Sequence, residues 1–360
     1  MIFGGYGISD WINLKNFTPP LAVIGSNPAC FNNIQSHQNT PPLGRLGILS
    51  QNRTMYKKRI LLDYIGSTPY IELEDIFVKL DYFNPSGSTK DRIAKHILLE
   101  AIKTGKLKDG MEVVEATSGN SGIAFSMVCA ILGYKMNVIM PEGLTSERIE
   151  YLKAYNANII MTPKEDGVLG SVQKEEEMSK NPKYFCVRQF ENELNVEAHR
   201  QTLGKEIIDE YPKEIHAFVA GVGTGGTLMG VGSLIKKKFP NAKIFAVEPS
   251  ESPVLKGGLH HEHKIEGIGD GFVPDIYKRY KGIVDGVVQI SSEDSIFETK
   301  KLAAKGILGG ISSGANFLAA KQLKNKFKNI VTVFPDRGER YFSMGIYEKE
   351  VIKTGKIVHF

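Results

Sequence analysis

Cysteine is scarce in this 360-residue chain: Cys30, Cys129 and Cys186 stand far apart with no fourth. An odd, scattered set excludes a disulfide framework and fits a reducing compartment, so a cytoplasmic protein is expected. Long apolar runs are missing too. The longest, "AFSMVCAILGYKMNVIM" (124–140), is interrupted by Gly133, Lys135 and Asn137 and falls short of a membrane span. No charged-then-apolar leader opens the chain. Strong charge of either sign is absent as well. The net charge is +5, and lysine clusters such as "IKKKF" and "KQLKNKFKN" carry no aromatics in base-stacking alternation. They read as solvated helix faces rather than a nucleic-acid surface. What is present is ordinary globular composition, 42% hydrophobic and 24% charged, in a chain long enough for two domains or one large α/β unit.

Residues 1–54, with "FTPP", "SNPACFNN" and "NTPPLG", show no sustained period and read as an irregular extension, which makes Met55 a candidate translation start. Strand and helix patterns then alternate. Strands are expected at "MEVVEA", "KMNVIMP", "NIIMTP", residues 184–190, "HAFVAGVG", "AKIFAVEP" and "NIVTVFP". Helices are expected over 121–134, "TSERIEYLKAYN" with Thr145 as its N-cap, "GSVQKEEEMSK", "GTLMGVGSLIKKKF", "SIFETKKLAAKG" and "SGANFLAAKQLK". Repeated βα units predict an α/β protein with mostly parallel sheets and helices on both faces. No solenoid repeat is evident.

Four loops at strand-to-helix junctions carry candidate chemistry. In "FNPSGSTKDR", Lys90 opens a helical pattern among Ser86, Gly87 and Ser88, residues small enough to let a flat ring approach. A lysine becomes nucleophilic when burial or a positive field lowers its pKa, and a helix N-terminus supplies such a field. In "EATSGNSGIAF", Thr117, Ser118, Asn120 and Ser121 offer hydroxyls, an amide and helix-end N–H groups to a carboxylate or phosphate. A helix cap at Ser121 would use only one of them. In "AGVGTGGTLMG", glycines let the backbone close on a phosphate beside Thr224 and Thr227. The same stretch satisfies G-x-G-x-x-G through Gly221, Gly223 and Gly226, with Glu248 after the next strand, so a dinucleotide-binding oxidoreductase competes. In "GGISSGANF", Ser312 and Ser313 sit at a fourth junction.

In order and wording the four loops resemble the fold-type II pyridoxal-phosphate enzymes, in particular the cysteine synthase and cystathionine β-synthase group. The resemblance runs from about 64 to 342. It is supported by "IGSTPYIEL", "QFENELN", "HKIEGIGDGFVP" and "VFPDRGERY". The dinucleotide reading leaves Lys90, Asn120 and Ser312 without a role. The resemblance implies two three-layer αβα domains, a smaller one at 55–195 and a larger one at 196–350, in a homodimer. It implies pyridoxal 5'-phosphate as cofactor, with Lys90 as the Schiff-base lysine and later the base for the substrate's Cα proton. Asn120 would bond the cofactor's ring hydroxyl oxygen, Gly223, Thr224, Gly225, Gly226 and Thr227 its phosphate, and Ser312 its pyridine nitrogen. Thr117, Ser118, Ser121 and Gln189 would bind the substrate carboxylate. The implied activity is β-replacement on O-acetylserine, cysteine or serine through an aminoacrylate, with sulfide, another thiol or water as the nucleophile. The alternatives are a sulfide-releasing cysteine lyase, a serine or threonine deaminase, and a catalytically silent binding protein, which an intact Lys90 disfavours.

Two departures stand out. The segment before the lysine loop is shorter than is usual in the family, and Asp270 in "GIGDGF" stands where the family commonly has a small or uncharged residue. A carboxylate there could act as general base for water or a thiol. Elsewhere, "HHEH" (260–263) reads as a loop without metal-site geometry, and Cys30 and His37 do not match a haem segment.

Overall fold

The structure, a computed structural model, describes residues 61–348. The extension, Met55, Cys30 and His37 lie outside these residues. The first strands, β1 (Tyr70–Leu73) and β2 (Ile76–Leu80), form a hairpin. Its turn is Glu74–Asp75, both at positive φ, the two-residue form whose twist matches a tight antiparallel pair. This is how the short segment before the lysine loop is accommodated.

Helix α1 (Lys90–Lys103) follows, then β3 (Glu112–Ala116), α2 (Asn120–Leu132), β4 (Lys135–Pro141) and α3 (Ser146–Ala154). Next come β5 (Asn158–Thr162), α4 (Gly167–Ser179), β6 (Tyr184–Cys186), α5 (Glu193–His199) and α6 (Lys205–Glu210). The later half holds β7 (Ala217–Gly221), α7 (Gly226–Lys238), β8 (Lys243–Pro249), α8 (Asp275–Tyr280) and β9 (Gly286–Ile290). It ends with α9 (Ser292–Ala304), α10 (Ile311–Leu323) and β10 (Ile330–Phe334).

The strands make two sheets. One is four-stranded, β5-β4-β3-β6, and wholly parallel. The other is six-stranded, β1-β2-β10-β7-β8-β9, and parallel except for β1. β2, β3 and β10 are buried along their whole length, as strands covered on both faces must be, which explains their continuous "VV" and "VTV" runs. Apolar side chains of α1 and α2 pack on the four-stranded sheet, and those of α10 and of α7 form two further clusters with the six-stranded one.

Sheet membership does not follow the expected boundary at residue 195, because β1 and β2 from the early chain pair into the sheet of the late strands. The strand expected over 184–190 stops at Cys186, since the chain turns at Arg188, which has φ 58°. Thr145 does stand at the N-cap of α3, but its hydroxyl makes no capping bond. Every βα junction delivers a helix N-terminus to the same edge of its sheet, which is where parallel sheets place ligand sites.

Candidate active site

Lys90 is the first residue of α1 and is half-buried. Burial lowers its pKa, while Asp270, Asp336, Glu115 and Asp81, in that order, pull it back up. The small residues before it also have close neighbours within the fold. The Ser86 amide and hydroxyl both bond the Asp91 carboxylate, the amide at 2.7 Å. Gly87 has φ 91°, and a Cβ there would lie 3.0 Å from Arg340 Nη2. Ser88 bridges to Asp336, and the Thr89 N–H donates to Pro335 O at 2.8 Å. Their size admits the loop's own neighbours and sews Lys90 to the end of β10.

The second loop leaves β3 and enters α2 at Asn120. Its N-cap is Gly119 rather than Ser121. Gly119 has φ 150°, and a Cβ there would meet the buried Arg148 side chain at 2.2 Å, so glycine is required twice over. Ser121 is buried and donates to Gln189 Oε1 at 2.5 Å, and Gln189 Nε2 donates to Ala116 O at 3.0 Å. Asn120 Nδ2 donates to Asp336 at 2.8 Å and its Oδ1 accepts from Arg340 at 2.7 Å.

The third loop heads α7. Gly225 lies at φ 88°, and a Cβ on Gly226 would overlap Asn195. Thr224 Oγ1 accepts from Asn195 Nδ2 at 3.0 Å, and Thr227 Oγ1 lies 3.2 Å from His199 Nε2. Burial pushes the His199 imidazole down to about 3, so it stays neutral and orients Thr227 by hydrogen bonding alone. Asn316 on α10 closes the cup by accepting from Gly221 N–H at 2.8 Å and donating to Val333 O.

These loops meet around one cavity region. A space of about 360 Å³ is lined by Lys90, Thr117, Ser118, Asn120, Ser121, Gln189, Gly223, Thr224 and Asp270, together with Arg148. A second of about 420 Å³ shares Lys90, Gly223 and Thr224 and adds Gly225, Thr227 and Asn316. Two expected residues do not line either space. Gly226 is buried beneath Asn195, and Ser312 is buried in the first turn of α10, one turn before Asn316. Glu248, the acid of the competing dinucleotide fingerprint, is buried and accepts from Leu255 N–H and Gln289, so it offers nothing to a ribose.

A model of the family described as "Pyridoxal-phosphate dependent enzyme" matches residues 61–336. The chain belongs to that family. The cofactor of this family is pyridoxal phosphate, and the residues present fit it. Helix α7 aims its N-terminal N–H groups and two threonine hydroxyls at a cup where side chains on the glycines would collide with Gly267 O and Asn195. A cysteine synthase from Staphylococcus aureus is 44% identical over 296 residues, covering 79% of this chain and 95% of that protein. Among solved structures, a hydrogen sulfide-producing enzyme from Fusobacterium nucleatum is 44% identical with TM-score 0.76, covering 81% of this chain and 92% of that one. O-acetyl serine sulfhydrylase isoform 3 from Entamoeba histolytica is 40% identical with TM-score 0.75, covering 85% and 97%.

Several site residues escaped the sequence reading: Arg148, Asn195, His199, Asn316, Asp336 and Arg340. The signal for the last two lay in "VFPDRGERY", a run of charges directly after a buried strand.

Behind the loop after β3 lie two more unassigned carboxylates, Glu115 on β3 and Glu175 on α4, both buried. Burial and the neighbouring Glu175 push Glu115 well up, and burial raises Glu175 to about 7 against the N–H of Arg188, which donates at 3.1 Å. A carboxyl raised on folding binds its proton more tightly in the native state, so stability falls as pH rises from its ordinary value of 4.5 towards 7. In Glu175→Gln the drop in melting temperature between about pH 5 and about pH 8 is expected to shrink. An unchanged drop in thermal melts would show that Glu175 does not carry it.

Proposed function

We propose that this protein catalyses β-replacement on an L-amino acid (O-acetylserine, cysteine or serine) in cysteine synthase-like sulfur metabolism. The reading rests on the convergence at one cavity region of a half-buried lysine, a hydroxyl-rich helix-end loop and a glycine cup heading α7. Likeness to a cysteine synthase and to an O-acetyl serine sulfhydrylase supports it. Pyridoxal phosphate, when bound, supplies the electron sink that lets a proton leave Cα and a substituent leave Cβ.

The chain's own residues divide the remaining work. Lys90, kept below the ordinary lysine range by burial, holds the cofactor and takes the Cα proton on its Nζ. Thr117, Ser118, Ser121 and Gln189 bind the substrate carboxylate and so aim Cα at Lys90. Gly223, Thr224, Gly225, Gly226 and Thr227 hold the phosphate at the positive end of α7. Asn120, fixed by Asp336 and Arg340, orients the ring through its hydroxyl oxygen. Ser312 would offer the ring nitrogen a neutral hydroxyl, which sustains less charge than a carboxylate and disfavours racemisation and transamination.

Asp270 favours a second reading of the same site, release of sulfide from cysteine. L-cysteine and water give L-serine and hydrogen sulfide: the Cβ–S bond breaks and sulfur leaves as hydrosulfide, the oxygen of water bonds Cβ, and the proton that water gives up passes to Asp270 and from there to the hydrosulfide. Burial raises the Asp270 carboxyl pKa, first opposed by Lys90, which suits a group that accepts a proton and hands it on. A mutant of a hydrogen sulfide-producing enzyme, with asparagine replacing an aspartate, has been solved with an α-aminoacrylate intermediate. Each candidate amino acid supplied with sulfide, with homocysteine or with no thiol, and products identified by mass, separates the readings. Serine and sulfide from cysteine alone would establish the second; no product from any amino acid would reject both.

The reading also carries a cytoplasmic homodimer. Among the described residues no helix is long and apolar enough to cross a membrane. Phe83, Leu308 and Phe342 are exposed near the segment after β10, apolar surface of the kind a second copy covers.

A further inference from the structure

Two of the histidines of "HHEH" flank the loop that carries Asp270. Asp270 sits between Gly269 and Gly271, which adopt φ 72° and 89°, with Gly267 at 91° two residues before. Such a run of left-handed glycines has little stiffness of its own. Its geometry is imposed from outside. On one side, the His263 ring lies against Gly269: a Cβ there would be 3.0 Å from Nε2. His263 Nδ1 accepts from the Ile265 N–H at 3.2 Å, which leaves the proton on Nε2, and Nε2 then donates to Gly269 O at 2.8 Å. On the other side, a Cβ on Gly271 would be 3.1 Å from His260 Cδ2, and His260 Nδ1 is anchored to Ser252 Oγ at 2.8 Å. The two rings stand edge to face, 6.1 Å apart at 87°.

We propose that His260 and His263 form a bracket that positions Asp270 to accept the proton of the incoming water, making them positioning residues for nucleophile choice. His263 lies against one flanking glycine and His260 against the other. Pro249 packs on Gly269, and the Gly269 N–H donates to Val222 O at 3.0 Å, so the loop is fixed to the phosphate cup from below and gripped by the histidines from outside. The bracket rests on the reading of Asp270 as the base for water. Its substrate class is therefore the small nucleophile, water, against a thiol.

The test is product partition by the cofactor-loaded protein supplied with cysteine, with and without homocysteine, counting serine against thioether. Asp270→Asn is expected to lower serine formation about 10²- to 10⁴-fold, the range for losing a general base. His263→Ala and His260→Ala are expected to lower it roughly ten- to a hundredfold through misplacement, with the thioether route falling less. His263→Gln, whose side-chain N–H₂ can still donate to Gly269 O, is expected to restore most of the His263→Ala loss. His260 is solvent-exposed, so its variant keeps the test open should His263→Ala misfold. If Asp270→Asn forms serine at the wild-type rate, the reading of Asp270 fails. If Asp270→Asn loses serine while His260→Ala and His263→Gln match wild type and a folded His263→Ala stays within twofold of it, the bracket fails alone. Equal losses in His263→Ala and His263→Gln would likewise overturn it.

Discussion

Lys90→Ala is expected to reduce turnover by at least about 10³-fold and to abolish the visible absorbance of lysine-bound cofactor. The size follows from the two functions proposed for one amine, holding the cofactor and moving the Cα proton. Burial alone would drive this amine towards neutrality; Asp270, Asp336, Glu115 and Asp81 oppose it, so the protonated form stays accessible at the moment of proton return. Loss of the positive charge also removes the main influence holding the Asp270 carboxyl down, so the variant's residual pH profile should move upward. Lys90→Arg should not rescue, because guanidinium does not give up its proton in the working range. Steady-state rates and an absorbance spectrum decide the matter. Activity within tenfold of wild type in the alanine variant would reject Lys90 as the reacting lysine.

Arg92→Ala is expected to destabilise the fold by about 3–5 kcal/mol. Arg92 lies two residues after Lys90 and is completely buried against an equally buried Asp81 at 2.6 Å. It also holds Glu206 at 2.6 Å and Thr68 at 3.2 Å. Burial would raise the Asp81 carboxyl, but the Arg92 charge and hydrogen bonds win and hold it at about 2. With the folded pKa below the ordinary 3.8, the pair's contribution is complete above about 4 and is lost as pH falls towards 2. Removing Arg92 reverses that sign, since an unpaired buried carboxyl prefers its proton. Denaturant melts should show the largest deficit near neutral pH and a smaller one near about pH 4. A deficit independent of pH would mean the cost is packing rather than charge.

Hydrophobic period made most helices and strands legible, because fully covered parallel strands and two-faced helices leave simple patterns in the chain. It missed β2, where Lys79 interrupts "IFVKL". That lysine is buried and paired with Thr68 O, Glu206 and Glu210, partners no local pattern announces. It also missed β9, a partly exposed edge strand, and α5, whose start is marked only by Asn192 capping Leu194 N–H. The four loops were legible because glycine and hydroxyls come in runs at their helix ends, the composition that the proposed phosphate and carboxylate sites need. Their supports were not. His199 finds Thr227, Asn195 finds Thr224 and Arg340 finds Asn120 across long stretches of chain, and each pair exists only once the sheets have folded. Ser86, Gly87 and Ser88 show the same limit from the other side: their smallness was visible, but its reason lay in Asp91, Arg340 and Asp336.

The pairing of β2 with β10, in the register Ile76 to Ile330, has a consequence for how the protein is made. The strand beside the lysine loop has its hairpin partner at once but cannot find β10 until nearly the whole described chain has left the ribosome. The four-stranded sheet, with contacts closed by residue 186, can form much earlier. A nascent chain should therefore carry a folded half with an unanchored Lys90 loop for most of its synthesis. Contacts so remote in sequence are slow to form. Catalytic competence would arrive last, when Asp336 emerges to meet Ser88.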